Sequence, residues 1–414
     1  MKSLKMGFIG SGFVAKTFHV KALAQMRGVD LVGVYSKKGA EELAKLSQDL
    51  NVGECKIHSS ITDLCKECDV IGIFAPNPVR IEIMEEIVSA IKEGAEVKGI
   101  VCEKPLGRTV AEAKRLVELA EETDAQTFYF ENQIYMKAIN RALEQLSPQM
   151  KAMGPLGLSR SAEEHGGPHE GWFWDPTRQG GGVLSDMGCH SIAVGWYMLI
   201  PWGKPVDYIK PVSVNATTSL IKWGRPKFRE QLKERMGVDY GKTPAEDFCN
   251  GIVKFQHPDT NQLVDAQFTN SWMYDKLGLR LLMDGIGPGY TLEINTLKSP
   301  LEVFIGDEAA EALADAEVAL EKATASRGLL AVQPNETDLY GYLDEMIDMR
   351  DSLLQNKKPL LDWNYGLEIT KLVQAAYMSA EKKQLIDLTD DKVQKELESY
   401  KSLIAQGKGG DLLY

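Results

Sequence analysis

Cysteine is scarce in this chain: six residues, at positions 55, 65, 68, 102, 189 and 249, in a sequence of 414. Thiols so few and so scattered exclude a disulfide scaffold and are expected to stay reduced. Cys65 and Cys68 form a C-x-x-C, but no second pair and no histidine pair follows at zinc spacing. The motif reads as a coincidence in a helix-to-strand connection. Positive charge is also in short supply. Against 59 Asp and Glu stand 47 Lys and Arg, a net charge of -12, so no broad basic surface exists to neutralise phosphates and nucleic acid is not an expected partner. Long apolar runs are missing too. None approaches the roughly 18 residues of a membrane-spanning helix, so no membrane partner is expected. Met1 to Gly10 runs straight into an apolar strand and a glycine turn, with no export signal ahead of them, and a cytoplasmic protein is expected.

What is present is an ordinary globular composition, 44% hydrophobic and 26% charged, long enough for two or three domains. The first third alternates strand and helix. Apolar runs at Met6 to Ile9, Leu31 to Tyr35, Val70 to Phe74, Gly99 to Cys102 and Gln126 to Phe130 are separated by helical patterns, among them Ala15 to Met26, Arg80 to Glu93 and Val110 to Glu122. Strands spaced by helices of 10 to 15 residues predict βαβ units and a doubly wound parallel sheet, a Rossmann-type α/β domain over residues 1–130.

The first strand ends in Gly10-Ser11-Gly12-Phe13-Val14-Ala15. Gly10, Gly12 and Ala15 occupy the small-residue positions of the G-x-G-x-x-G/A dinucleotide fingerprint. Gly10 permits the tight turn, Gly12 lets a pyrophosphate approach the backbone, and Ala15 lets the helix pack on the strand, with Phe13 and Val14 completing the loop. Glycines in a ligand-free βα turn are the bland alternative, but the position between the first strand and the first helix favours nucleotide binding. The second strand ends in Val34-Tyr35-Ser36-Lys37-Lys38, without the carboxylate that would bond the 2′-hydroxyl of NAD. Ser36, Lys37 and Lys38 suit a 2′-phosphate better, so the expected cofactor is NAD(P), leaning to NADP. An exposed helix start is the alternative account of the two lysines.

Three further motifs follow in order: Ala75-Pro76-Asn77-Pro78, Cys102-Glu103-Lys104-Pro105-Leu106, and Gly180-Gly181-Gly182-Val183-Leu184-Ser185-Asp186-Met187-Gly188-Cys189-His190. On these motifs most of the chain resembles the Gfo/Idh/MocA oxidoreductases, which include glucose-fructose oxidoreductase and inositol dehydrogenase. The resemblance implies that Lys104 hydrogen-bonds the reacting hydroxyl near the nicotinamide, that Glu103, Pro76 and Asn77 border the cofactor, that Asp186 places the substrate, and that His190 is the general acid/base. The chemistry agrees: oxidising a secondary alcohol needs a base for the hydroxyl proton and a positive group beside the developing alkoxide. The resemblance departs at Arg80, where many members have His, and at Tyr129-Phe130-Glu131-Asn132-Gln133. Arg80 is read either as a complement to substrate charge or as a surface residue near a helix start.

The loop from Glu163 to Pro176 is rich in glycine and aromatics. His165, His169 and Trp174 are expected to line a sugar pocket, with Trp faces against C–H surfaces; loop packing is the even alternative. His165, His169, Asp186 and His190 match no metal spacing, and no metal is expected. Residues 131–414 are expected to form a substrate-binding and oligomerisation domain with a large, mainly antiparallel sheet. Its strands are placed near Leu158 to Glu163, Val212 to Leu220, Gly251 to Phe255, Leu263 to Phe268 and Leu279 to Met283. Lys222 to Glu246 reads as an inserted helical excursion with a solvated charged face. Helices are expected at Asp307 to Thr324, Thr337 to Gln355 and Tyr365 to Lys382, then a strand at Leu385 to Leu388 and a charged helical tail from Thr389 to Ala405. A sheet with helices on one side leaves a face to bury, so a homodimer or homotetramer is expected.

The function these features imply is hydride transfer between a nicotinamide and a secondary hydroxyl or ketone of a sugar, glycoside or polyol. The alternatives are a redox-assisted glycoside-cleaving enzyme and a non-catalytic nicotinamide or sugar sensor.

Overall fold

The structure is a computed structural model that describes every residue except 1–2, 277, 299–301, 306–318, 321–322, 325–327, 332–334 and 414. Two compact units emerge, one of residues Met1–Lys137 and Thr337–Lys371, the other of Ala138–Glu336 and Leu372–Tyr414.

The first unit is built on six strands: β1 (Leu4–Ile9), β2 (Val29–Tyr35), β3 (Lys56–Ile57), β4 (Val70–Ile73), β5 (Gly99–Glu103) and β6 (Gln126–Phe130). All pair in parallel, in the order β3-β2-β1-β4-β5-β6. This is the doubly wound order. Covered on both faces, the central strands are continuous apolar runs, and Met6, Phe8, Ile71, Ile73, Ile100 and Val101 are wholly buried. Side-chain caps start two of the surrounding helices, with Ser60 accepting from Asp63 N at 3.1 Å and Thr109 from Glu112 N at 3.2 Å. The helix after β1 opens as a π-turn, Ala15–His19, before becoming α-helical over Val20–Ala24. The expected helix over Thr337 to Gln355 is broken into Glu336–Leu339 and Tyr342–Gln355. Gly341 at the break has φ +88°, and a Cβ there would overlap the Asn132 carbonyl.

The second unit carries a mixed, mainly antiparallel sheet of β7 (Leu158–Glu164), β8 (Lys210–Ser219), β9 (Phe248–Gln256), β10 (Leu263–Ser271), β11 (Arg280–Gly287) and β12 (Tyr290–Asn295). The order is β12-β11-β7-β10-β9-β8, and Ile386–Asp387 pairs with the outer edge of β8. Only the β7–β10 pair within it is parallel. The helix Cys189–Leu199 packs against β7 and β10, close enough that a Cβ on Gly195 would sit 3.2 Å from that of Ala266 and 3.3 Å from Ser159 Oγ. Of the helix expected at Asp307 to Thr324, residues 307–318 lie outside the described residues, while Ala319–Leu320 and Ala323–Thr324 form a short antiparallel ladder instead. No helix among the described residues is long and apolar enough to cross a membrane.

Candidate active site

The cofactor half of the expected site lies in the first unit. Gly10 adopts φ +103°, and a Cβ there would come within 2.8 Å of the Phe74 and Ala75 backbone, so the β1 turn needs glycine to pass the end of β4. Gly12 differs: a Cβ there would meet no protein atom within 4 Å. Open space over a backbone that leads into a helix is what a dinucleotide pyrophosphate requires, so these residues fit the group. Val14 and Phe13 are half-buried, Ala15 is buried, and Asn77 is buried beside the half-buried Pro76.

At the end of β2, the hydroxyls of Ser11 and Ser36 both donate to the Lys38 carbonyl, at 2.5 and 2.8 Å. The Ser36 proton is thereby committed within its own turn. A 2′-phosphate needs donors, and at this turn that role falls to Lys37 and Lys38, both exposed.

Arg80 corrects both of its sequence readings. It is 3% exposed, so it is not a surface residue, and its donors are committed to the backbone rather than held out to a ligand. Its guanidinium donates to the backbone carbonyls of Ala75 (3.3 Å), Glu103 (2.7 Å), Lys104 (3.4 Å) and Pro105. The planar fork of donors ties the end of β4 to the turn that follows β5. That turn carries Lys104, half-buried, and the Lys104–Pro105 peptide is cis.

Glu103 is held from a second direction. One carboxylate oxygen accepts from Lys104 N at 3.0 Å, and the other lies 2.8 Å from His19 Nε2. Burial works against the Glu103 charge, but His19, then Lys104 and Arg80, outweigh it and hold the carboxyl below its usual range. His19, fully buried, stacks on Phe74 at 4.1 Å, and its Nδ1 lies 3.9 Å from Glu345 Oε1. Burial, and then the charges of Glu103 and Glu131, push the Glu345 carboxyl well above its ordinary value. Among the described residues His19, Glu103 and Glu345 are the His, Cys, Asp or Glu side chains grouped tightly enough to hold a metal ion; the set His165, His169, Asp186 and His190 is not grouped in that way. The 2.8 Å separation is a hydrogen bond. Two ligands about one tetrahedral ion would stand roughly 3.3 Å apart, given metal–ligand bonds near 2 Å. A buried, charge-assisted pair bracing the Lys104 turn is therefore the better account.

The Glu131-Asn132-Gln133 segment, also unmatched in the resemblance, is a buried turn, with Asn132 Nδ2 donating to Tyr340 O at 2.8 Å. The six cysteines are all unpaired by disulfides and buried, and burial pushes Cys65 up to about 12, so the C-x-x-C thiols are inert.

The residues expected to handle the proton, Asp186 and His190, lie in the second unit. Asp186 falls within a π-turn, Leu184–Gly188, and His190 in the first turn of the α-helix that continues it; they are 5% and 4% exposed. A π-turn inside a helix is rare and recurs at functional sites. The next residue, Ser191, accepts from Asn270 Nδ2 at 2.8 Å, which pins this helix to β10.

The aromatic loop divides. Trp174, expected to offer a face to a sugar, is 2% exposed, and its ring lies 4.9 Å from Trp223, 5.0 Å from Trp272 and 5.6 Å from Tyr240. Its Nε1 donates to Pro168 O at 3.0 Å. This corrects the reading: Trp174 is the small core that holds the loop. His165 is buried and accepts from Gly167 N through Nδ1 at 2.9 Å, whereas His169 is exposed near Phe173. The polar excursion is anchored as well. Its helix, Pro226–Met236, buries only Leu232, but Trp223 and Tyr240 on either side enter the Trp174 core.

Residues 4–131 match the model of an oxidoreductase family described as having an NAD-binding Rossmann fold. An uncharacterised protein of Saccharomyces cerevisiae is 24% identical over 247 residues, 58% of this chain and 62% of that one. The D-glucoside 3-dehydrogenase of Escherichia coli is 26% identical over 260 residues, 61% of this chain and 67% of that one. This chain therefore spans about two thirds of the length of those relatives. A solved structure of GenD2 from gentamicin A biosynthesis, in complex with NAD, shares the fold with a TM-score of 0.71 at 20% identity, over 94% of this chain and 97% of that one. The strand-end Glu103-Lys104-Pro105 turn and the glycine-led helix of Asp186 and His190 follow in the order of the Gfo/Idh/MocA motifs, and residues 4–131 belong to the NAD-binding Rossmann part of that oxidoreductase family.

Proposed function

We propose that the protein transfers hydride between a nicotinamide cofactor and a secondary hydroxyl or ketone of a sugar, glycoside or polyol, with NADP(H) preferred. The observation that carries this reading is the Lys104 turn, held at the carboxyl end of a parallel strand by a buried arginine and a buried histidine–glutamate pair. So much buried structure around one half-buried lysine is the support a reacting group needs. A dinucleotide whose pyrophosphate is held at the Gly10–Gly12 turn would supply, through its nicotinamide, the hydride acceptor or donor.

The chain's own residues do the rest. Lys104 holds the oxygen as it gains negative charge, His190 takes or returns the hydroxyl proton, and Asp186 orients the substrate. Lys37 and Lys38 pair with a 2′-phosphate. The name of one relative, a D-glucoside 3-dehydrogenase, makes the ring 3-hydroxyl of hexosides the first group to try. The face of the second sheet that bears Asn215, Thr217, Ile252 and Gln267, with Ile252 exposed, is the surface through which copies of the chain would associate.

A crossed screen of NAD and NADP against sugars, inositols and glycosides, read by nicotinamide absorbance, tests the reading. Turnover with at least one alcohol is expected. Tight cofactor binding with no turnover on any of them would favour a sensor, and aglycone release without accumulated reduced cofactor would favour glycoside cleavage.

A further inference from the structure

The helix of Asp186 and His190 has no side-chain cap of its own: Val183, where the π-turn begins, offers none. Its first amides are satisfied from far along the chain. Glu246, fully buried just before β9, accepts from Gly182 N through both carboxylate oxygens at 3.1 Å and from Leu184 N at 3.0 Å. Tyr377, fully buried in the helix Trp363–Lys382, donates its hydroxyl to Glu246 at 2.6 Å and accepts from Gly182 N at 3.1 Å and Ser185 N at 3.2 Å. A buried carboxyl group thus takes the place of a local cap at the positive end of the turn.

The glycine run follows from this clamp. A Cβ on Gly181 would overlap the Tyr377 hydroxyl, and one on Gly182 would overlap the Glu246 carbonyl. Glycine at both positions lets the backbone meet the two side chains. From there the path to the reacting groups is short: Gly182 O accepts from Asp186 N at 3.1 Å, and His190 is one turn further.

We propose that Glu246 and Tyr377 are positioning residues that set the phase of the Leu184–Gly188 π-turn and so place Asp186 and His190 for proton transfer. The proposal rests on the acid/base role given to His190 above. It also explains why a carboxylate is kept in a dry position where burial penalises its charge: the amides of Gly182 and Leu184 and the Tyr377 hydroxyl require an acceptor there. The titratable groups facing Glu246 are Tyr377 from its helix and Cys249 from β9, both pushed well above their ordinary values by burial and then by the Glu246 charge, and so neutral near pH 7. Glu246 itself is raised by burial to about 7, against the hydrogen bonds of Tyr377, Leu184 and Gly182. The clamp accordingly changes charge near neutrality. Misplacement of a reacting group by about 1 Å costs up to about a hundredfold in rate, which sets the scale of the effect.

The test uses the full-length protein and an alcohol found by the screen. Tyr377→Phe, Glu246→Gln and Glu246→Ala are compared with His190→Ala, after melting curves confirm folding. Tyr377→Phe is expected to lower kcat about tenfold or more while the KM for the alcohol and the cofactor Kd stay within about twofold. Glu246→Ala should fall further, and Glu246→Gln should recover part of that loss and drop the component of the kcat–pH profile near 7. Amide exchange at Gly182, Leu184 and Ser185 should quicken in all three. Wild-type kcat in folded Tyr377→Phe and Glu246→Gln, or faster exchange with no change in kcat, overturns the proposal while the loss in His190→Ala leaves the functional reading standing. Wild-type turnover in His190→Ala overturns both.

Discussion

Glu246 gives the sharpest quantitative expectation. Burial lifts its carboxyl from 4.5 to about 7, even though Tyr377 and the amides of Leu184 and Gly182 all donate to it. The folded state therefore binds this proton more tightly than the unfolded chain does. Between those two values the native protein carries more protons than the denatured one, so stability must fall as pH rises through that window and level off above it. At about 1.4 kcal/mol per unit, the full fall is on the order of 3 kcal/mol. Glu246→Gln abolishes the titration while keeping the shape of the side chain. Urea unfolding from pH 4.5 to 8 should show the wild type losing stability through the window and the variant losing about 3 kcal/mol less. Because the other buried carboxyls are unchanged, the difference between the two curves isolates Glu246. Superimposable slopes would refute the assignment, and so would a difference curve that rises with pH.

Three other expectations follow from the first unit. Gly12→Ala should leave the melting temperature nearly unchanged, since its Cβ meets only open space, yet weaken cofactor binding about tenfold; Gly10→Ala should lose both, because its Cβ strikes the Phe74–Ala75 backbone. Calorimetry with and without nicotinamide separates the two. Arg80→Met strips donors from four backbone carbonyls, two of them in buried bonds, and should cost about 3 kcal/mol by denaturant unfolding, with Arg80→Lys recovering little because an ammonium cannot span the ends of β4 and β5 together. Lys37→Ala with Lys38→Ala should lower the ratio of NADP to NAD affinity about tenfold in titration calorimetry, and an unchanged ratio would remove the argument for a 2′-phosphate.

The strands of the first unit were readable because a sheet covered on both faces needs unbroken apolar runs, and the fingerprint could be placed because it sits between the first strand and its helix. β3 was missed for a matching reason: it has two residues, both exposed, and leaves no periodic signal. In the candidate site, the Lys104 turn and the glycine-led helix were legible as motifs, but what holds them was not. Arg80 acts on carbonyls more than twenty residues further along the chain, and His19 reaches Glu103 across 84 residues. Only the fold brings these groups together. Glu246 was hidden at the end of a charged excursion and Tyr377 in an amphipathic helix. The one available signal was indirect, a run of three glycines ahead of a helix with no capping side chain. Trp174 shows the converse: aromatic residues near a site have the same spacing whether they meet a ligand or one another, and burial decides between the two.

Single turnover measured in Lys104→Ala and His190→Ala, alongside cofactor affinity in the same samples, tests the central claim most directly. The account predicts that each substitution lowers hydride transfer by about a hundredfold or more while the nicotinamide Kd stays within about threefold. Wild-type transfer in the double variant would contradict it.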